Sequence, residues 1–201
     1  MIDRSLDAGC QVVMLTWGNS LISLLSDAEV AEVHQTVTQS AGPDVLTVAC
    51  DNMWGLPKCI EFGRFVRNLD FDVYMVRPAD TLPGTAETLT HYYTAVADEI
   101  PVMLVGHVPL ETCAALETVP GICSFKEDTT VPFAHEVGMR WGDRWTLVGG
   151  GGLRRHHLFA SHAWCPAWLD YFVCSHPQPA FDYWHAVRED LPAAWSLVAR
   201  W

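Results

Sequence analysis

Residues 100–127 read IPVMLVGHVPLETCAALETVPGICSFKE, and the pattern of this segment indicates the fold class. An apolar strand is predicted at residues 101–105 and another at 122–126, with a short helix between them at 110–117. Strands joined through a helix run parallel, as in a βαβ unit. Both strands are almost continuously apolar, which is typical of a sheet buried on both faces.

The same alternation of strand and helix extends towards both ends of the chain. A helix is predicted to begin after Ser26, because Ser26 and Glu29 form the pattern of a capping box. The last helical stretch, residues 177–198, contains Pro192, which we expect to kink or split it. Seven strands are predicted, at residues 12–15, 45–50, 72–76, 101–105, 122–126, 145–148 and 167–171.

This pattern indicates an α/β fold with a parallel sheet and leaves two architectures open. One is an open doubly wound sheet; the other is a (β/α) barrel, which normally uses eight strands and about 250 residues. No G-x-G-x-x-G motif follows the first strand, so a dinucleotide-binding sheet is not indicated. The length of 201 residues predicts one domain, residues 1–201.

The composition argues against several classes of partner. The chain has 24 acidic and 12 basic residues, a formal net charge of −12, and only two lysines, Lys58 and Lys126. Nucleic acid requires clustered basic residues, so neither nucleic acid nor an anionic membrane is expected as a partner. No apolar run approaches the roughly 18 residues of a membrane span. The N-terminus has no signal-peptide pattern, and the seven cysteines contain no CxxC pair. We therefore expect a cytoplasmic protein with reduced core thiols.

Lys126 is the residue whose position most suggests chemistry. It ends an apolar strand, at the edge of a parallel sheet where such folds keep their active sites. Burial of a lysine penalises the ammonium form, and the neutral amine can attack a carbonyl to form a Schiff base. A second interpretation stays open at this point, because a strand-end lysine can also reach solvent and pair with Glu127 or Asp128.

Five segments, in the same order, resemble motifs of the dihydrodipicolinate synthase and N-acetylneuraminate lyase family of class I aldolases. The match extends over nearly the whole chain. The segments are residues 15–20 (LTWGNS), 25–29 (LSDAE), 100–104 (IPVML) followed by Val108-Pro109, 121–127 (GICSFKE), and 167–170 (AWLD) followed by Pro177.

The resemblance implies a TIM-type (β/α)8 barrel that here lacks the first strand and the C-terminal helices. It implies a lyase in which Lys126 forms a Schiff base with pyruvate or another 2-keto acid, an aldehyde being the second substrate. Thr16, with the backbone of Trp17 and Gly18, would hold the carboxylate of the keto acid. The resemblance further implies no cofactor and a homo-oligomer, either a dimer or a tetramer.

The sequence departs from the family at the proton-relay position. Family members usually carry a tyrosine at the end of their fifth strand, where this chain has Val105 or Gly106. His107 lies beside that position, and an imidazole can relay protons near neutral pH. The missing tyrosine and strand leave an alternative function open: a truncated, catalytically inactive relative with a structural or regulatory role.

A metal site is the other alternative, because His156, His157, His162, Cys165 and His176 fall in one stretch. His157 and His162 are five residues apart, which does not match the i, i+4 spacing of two metal ligands on one helix face. The set matches no zinc pattern well. We therefore predict no metal and interpret these residues as histidines of a surface helix and its loops.

Overall fold

The structure, a computed structural model, describes residues 2–79, 82 and 84–200 of the chain. The strands in this part are β1 (Val12–Met14), β2 (Leu46–Cys50), β3 (Val73–Met75), β4 (Val102–Val105), β5 (Ile122–Glu127), β6 (Thr146–Gly149) and β7 (Ala167–Trp168). The α-helices are α1 (Ile2–Asp7), α2 (Asp27–Ser40), α3 (Leu56–Asn68), α4 (Ala86–Ala97), α5 (Leu110–Leu116), α6 (Val131–Trp141), α7 (Leu153–Phe159), α8 (Phe172–Ser175), α9 (Pro177–Glu189) and α10 (Leu191–Val198). A 3₁₀ turn spans Ile22–Leu24.

The order of the strands resolves the choice that the sequence left open. The sheet has the order β1-β2-β3-β4-β5-β6-β7, so that each strand lies beside its neighbour in sequence. The pairs β1–β2, β2–β3, β3–β4 and β6–β7 are parallel. A doubly wound sheet reverses its strand order at a switch point, whereas a (β/α) barrel proceeds in one direction. The predicted barrel-type α/β class is therefore confirmed.

Contacts divide the chain into two compact units. The N-terminal unit is Gln11–Ser124, and the C-terminal unit is Phe125–Trp201 together with Met1–Cys10. The boundary lies inside β5, so that Lys126 belongs to the C-terminal unit. The assignment of residues 1–201 to a single domain stays a prediction.

The N-terminal unit is built around β2 and β3, whose inner residues are fully buried. Helix α2 begins with the predicted capping box, in which Ser26 and Glu29 each satisfy the other's backbone N–H. From this helix His34 reaches β2: its Nδ1 donates to Val30 O over 2.7 Å, while its Nε2 accepts from the backbone N–H of Cys50 over 3.2 Å. Burial lowers the pKa of His34 to about 4, so that the ring is neutral and cross-links helix to strand.

The C-terminal unit buries aromatic side chains around β6 and α7. Trp141 stacks on Trp145, with ring centroids 5.7 Å apart, and Trp145 also contacts Phe125 edge-on. His156 on α7 is buried and bonds through Nδ1 to the hydroxyl of Tyr183 over 2.7 Å. This contact ties α7 to α9.

Several predicted boundaries need correction. The last strand is only Ala167–Trp168, because residues 169–171 lead directly into α8. The last helical stretch is split as expected: α9 ends at Glu189, and α10 begins at Leu191 with Pro192 in its first turn. Two short helices, α1 and α8, were not predicted. None of the described helices is long and apolar enough to cross a membrane.

Candidate active site

Lys126 occupies the penultimate position of β5, at the carboxyl end of the strand where the sequence predicted it. Its side chain is 12% exposed and forms an ion pair with the carboxylate of Asp128. Most of the lysine side chain is therefore covered by protein, and its amine pairs with a carboxylate at the exposed Asp128. Both interpretations of the lysine, as a buried amine and as a paired one, describe part of the observed environment.

Glu127 and Arg155 form a buried clamp beside the lysine. The carboxylate of Glu127 is 3% exposed and pairs with the Arg155 guanidinium, which α7 supplies. Glu127 Oε1 also accepts the backbone N–H of Thr129 over 2.8 Å and its hydroxyl over 2.6 Å. Arg155 donates further to the backbone carbonyls of Glu127 (2.9 Å) and Gly150 (3.1 Å). These contacts fix the ends of β5 and β6 around Lys126.

The backbone of Gly150 lies close to the lysine and to its carboxylate partner. A Cβ added to it would lie 2.9 Å from Asp128 Cβ and 3.5 Å from Lys126 Nζ. The backbone N–H of Gly150 donates to Glu127 O over 3.0 Å, so the glycine is held close to β5. A side chain at residue 150 would therefore crowd the ion pair, which explains why a glycine fits at this position.

The predicted carboxylate-binding loop follows β1 in the N-terminal unit. Thr16 and Trp17 are half-buried, and Gly18 is exposed. The backbone N–H of Thr16 donates to Ser20 Oγ over 3.0 Å, whereas the buried hydroxyl of Thr16 has no hydrogen-bond partner among the described residues. A buried hydroxyl without a partner is costly, and a ligand carboxylate would satisfy it. The indole N–H of Trp17 is likewise buried without a hydrogen-bond partner among the described residues, although the indole slightly lowers the pKa of Asp51.

His107 is exposed and follows β4, immediately after Gly106, whose φ of +73° favours glycine. It therefore belongs to the N-terminal unit, together with Thr16, Trp17 and Gly18, whereas Lys126 belongs to the C-terminal unit. The grouping of these five residues into one site stays a prediction.

The sequence analysis missed a buried polar network at the carboxyl end of β2. The carboxylate of Asp51 is fully buried and accepts from the Tyr74 hydroxyl, from Cys59 Sγ (3.1 Å) and from the backbone N–H of Met53 (2.8 Å). Burial raises the pKa of Asp51, and these hydrogen bonds oppose the shift. Cys59 also contacts the Tyr92 hydroxyl over 3.1 Å. The signal was an aspartate directly after an apolar strand.

Burial, followed by the charge of Asp51, raises the pKa of the Cys59 thiol to about 12. The pKa of Tyr74 is also raised well above its usual value, again chiefly by burial. A thiol in this state is not a nucleophile near neutral pH. The network is therefore a cross-link within the core that joins β2, β3, α3 and α4.

The interpretation of the histidine-rich stretch as a surface feature was wrong for His156. This ring is 1% exposed, and burial lowers its pKa to about 4. The neighbouring rings also pack on aromatic side chains, His157 on Trp195 and His162 on Trp164. Among the described residues, no group of three or more His, Cys, Asp or Glu side chains is placed to hold a metal ion.

The comparisons with known proteins identify the fold. No protein-family model matches the sequence, and no curated protein is significantly similar to it. Among solved structures, dihydrodipicolinate synthase from Bacillus clausii is similar over 98% of this chain and 69% of its own, at 19% identity and a TM-score of 0.86. The chain has the fold of the dihydrodipicolinate synthase and N-acetylneuraminate lyase family.

Two further solved structures of this family have a fold similar to that of this chain. N-acetylneuraminate lyase from Fusobacterium nucleatum is 11% identical, with 98% of this chain and 70% of that chain covered and a TM-score of 0.83. Dihydrodipicolinate synthase from Acinetobacter baumannii, in complex with pyruvate, is 17% identical over 98% of this chain and 70% of its own, with a TM-score of 0.84. The resemblance expected from the sequence is thus confirmed in the fold.

Proposed function

We propose that the protein is a class I aldolase-type lyase in which Lys126 forms a Schiff base with pyruvate or another 2-keto acid. The observation that carries this proposal is the position of Lys126, largely buried at the carboxyl end of a barrel-type strand. The fold adds support, because it is shared with an N-acetylneuraminate lyase and with a dihydrodipicolinate synthase in complex with pyruvate.

The chemistry follows from the amine. Uncharged Nζ attacks the C2 carbonyl of the keto acid, and loss of water from the carbinolamine leaves an iminium ion. A base, for which His107 is the proposed residue, removes the proton of the C4 hydroxyl as the C3–C4 bond breaks, and the iminium ion accepts the released electron pair. The products are an enamine and an aldehyde. The reverse sequence forms the bond. The lysine supplies the electrophilic activation, and we propose that no metal or organic cofactor takes part.

The remaining predicted residues have supporting roles in this proposal. The unpaired hydroxyl of Thr16, with the backbone N–H groups of Trp17 and Gly18, would hold the carboxylate of the keto acid. His107, whose side chain is exposed, would relay protons in place of the family tyrosine. We further propose that the protein is cytoplasmic and assembles as a dimer or tetramer, as the family resemblance implies.

Turnover provides the test. A panel of 4-hydroxy-2-keto acids is incubated with the protein, and released pyruvate is measured with a coupled dehydrogenase. Lys126→Ala is expected to abolish release, whereas Lys58→Ala, which removes the other lysine, retains it. Circular dichroism confirms that both variants are folded. Equal pyruvate release by the wild type and Lys126→Ala would contradict the proposed function; no release from a folded wild type would favour the inactive relative.

A further inference from the structure

We propose that Asp128 is the proton acceptor and donor for Lys126 during Schiff-base formation. This inference rests on the proposed function and names a residue that the resemblance does not supply. Its basis is the ion pair between Lys126 Nζ and Asp128 Oδ2, in which the lysine side chain is 12% exposed and the aspartate 31%. The carboxylate thus contacts the reacting atom and remains accessible to water.

The neighbouring carboxylate is not available for this role. Glu127 is bound by Arg155 through one oxygen and by Thr129 through the other. The alternation of side chains along a strand explains the difference, since residues 126 and 128 lie on one side and residue 127 on the other. The carboxylate of Glu127 therefore pairs with Arg155, and that of Asp128 pairs with the amine of Lys126.

The surroundings of the pair favour proton transfer within it. The charged groups beside the pair at this end of β5 include Glu127 and Arg155 on α7. Arg155 is engaged by Glu127 and by backbone carbonyls. Asp170, which follows β7, accepts backbone N–H groups at the starts of α7 and α8. The backbone of Gly150 packs closely against the pair, because a Cβ at this residue would lie 2.9 Å from Asp128 Cβ and 3.5 Å from Lys126 Nζ. The amine and the carboxylate are thus held against each other on this side.

The proton balance of the step is closed. Asp128 takes one proton from the Lys126 ammonium, which leaves a neutral amine and a neutral carboxyl group. Nζ then forms a bond to C2 of the keto acid, and a proton moves from nitrogen to the former carbonyl oxygen. Asp128 returns its proton to that hydroxyl as the C–O bond breaks, so that water leaves. An iminium ion remains, paired with the regenerated carboxylate.

The opposite role for Asp128 makes a different prediction. If the carboxylate only held the proton on Nζ, then removing it would free the amine and accelerate the reaction. If the carboxylate relays the proton, then its removal slows imine formation, because general acid–base groups contribute on the order of 10²-fold or more. A slower rate of imine formation after removal of the carboxylate therefore indicates that Asp128 relays the proton, whereas a faster rate indicates that it only holds the proton on Nζ.

The experiment measures the rate of imine formation at saturating pyruvate, by quenching samples with borohydride at successive times and quantifying the adduct on Lys126. Asp128→Asn is expected to slow this rate at least tenfold, and Asp128→Glu, which keeps the carboxylate, to retain part of it. Asp27→Asn is the matched control, because Asp27 pairs with the other lysine, Lys58, and should leave the rate unchanged. In Asp128→Ala, added formate should restore part of the rate, which a structural role alone would not allow.

The outcomes separate the two proposals. An adduct on wild-type Lys126 with a normal or faster rate in Asp128→Asn overturns the role of Asp128 and leaves the proposed function intact. No adduct in the folded wild type overturns both. A slower rate in Asp128→Asn without rescue of Asp128→Ala by formate also rejects the relay, since the carboxylate would then act only on the structure of the strand end.

Discussion

Lys126, Glu127 and Asp128 show how neighbouring ionisable residues take separate tasks. Glu127 lies in a buried ion pair with Arg155, and Asp128 faces the amine of Lys126. A buried ion pair that loses one partner leaves an uncompensated charge, which is strongly destabilising. Replacement of Glu127 would therefore disturb the fold, whereas Asp128 is exposed enough to be changed for a test of chemistry.

Tyr74 allows a test of the buried network around Asp51. Its hydroxyl donates to a carboxylate that has no access to solvent. Tyr74→Phe removes this donor, so we expect the free energy of unfolding to fall by about 1–3 kcal/mol. Tyr171→Phe is the control, because Tyr171 is 65% exposed and should change stability little. Urea denaturation measures both; equal stability of Tyr74→Phe and the wild type would show that the network contributes nothing.

At the scale of elements, α6 is shaped by a close contact with a tryptophan. A Cβ added to Gly138, inside α6, would lie 2.3 Å from the Trp164 ring, and one added to Gly142 would lie 2.2 Å from Trp164 Cβ. The small residues let the tryptophan approach the helix backbone. Trp164 in turn packs on the cluster formed by Ala134, Phe159 and Cys165.

Two helix-interior glycines predict opposite effects of the same substitution. Alanine normally stabilises a helix by up to about 1 kcal/mol relative to glycine. At Gly63 in α3 the new Cβ would meet its neighbours no closer than 3.5 Å, so Gly63→Ala should be neutral or stabilising. Gly138→Ala would collide with Trp164 and should lose about 1–3 kcal/mol. Thermal unfolding of both variants checks this; similar melting temperatures would contradict the contact.

The elements that could be predicted from the sequence are those with local signals. The capping box at Ser26 and the strand that carries Lys126 depend on neighbouring residues, and both were predicted. The pairing of Lys126 with Asp128 rather than Glu127 could have been inferred from strand alternation. The position of Asp51 directly after an apolar strand was a local signal, but its partner Tyr74 could not be predicted, because it is distant in sequence. The burial of His156 against Tyr183 could not be predicted for the same reason.

Across the whole molecule, each compact unit buries one histidine in its neutral form. His34 lies in the N-terminal unit and His156 in the C-terminal unit, and burial lowers the pKa of each from 6.5 to about 4. Between these two values the unfolded chain binds protons that the folded chain does not. Stability is therefore expected to fall as the pH decreases through this window.

Substitution of His34 tests how much this one histidine contributes to the loss of stability in acid. From pH 7 to pH 5 each buried histidine should lower the free energy of unfolding by roughly 2 kcal/mol. His34→Gln removes one of these contributions while keeping a polar side chain beside the Cys50 N–H, so its stability should depend less on pH than that of the wild type. Urea titrations at both pH values provide the comparison; parallel pH dependence of the two proteins would show that His34 is not buried in its neutral form.

The measurement that tests the central claim most directly is reductive trapping of the Schiff base. Wild type and Lys126→Ala are each incubated with pyruvate and borohydride, and the adducts are located by peptide mass spectrometry. The account predicts one pyruvyl adduct, on Lys126 of the wild type, with Lys58 unmodified as an internal control. A folded wild type without the adduct, or with equal labelling of the two lysines, would contradict it.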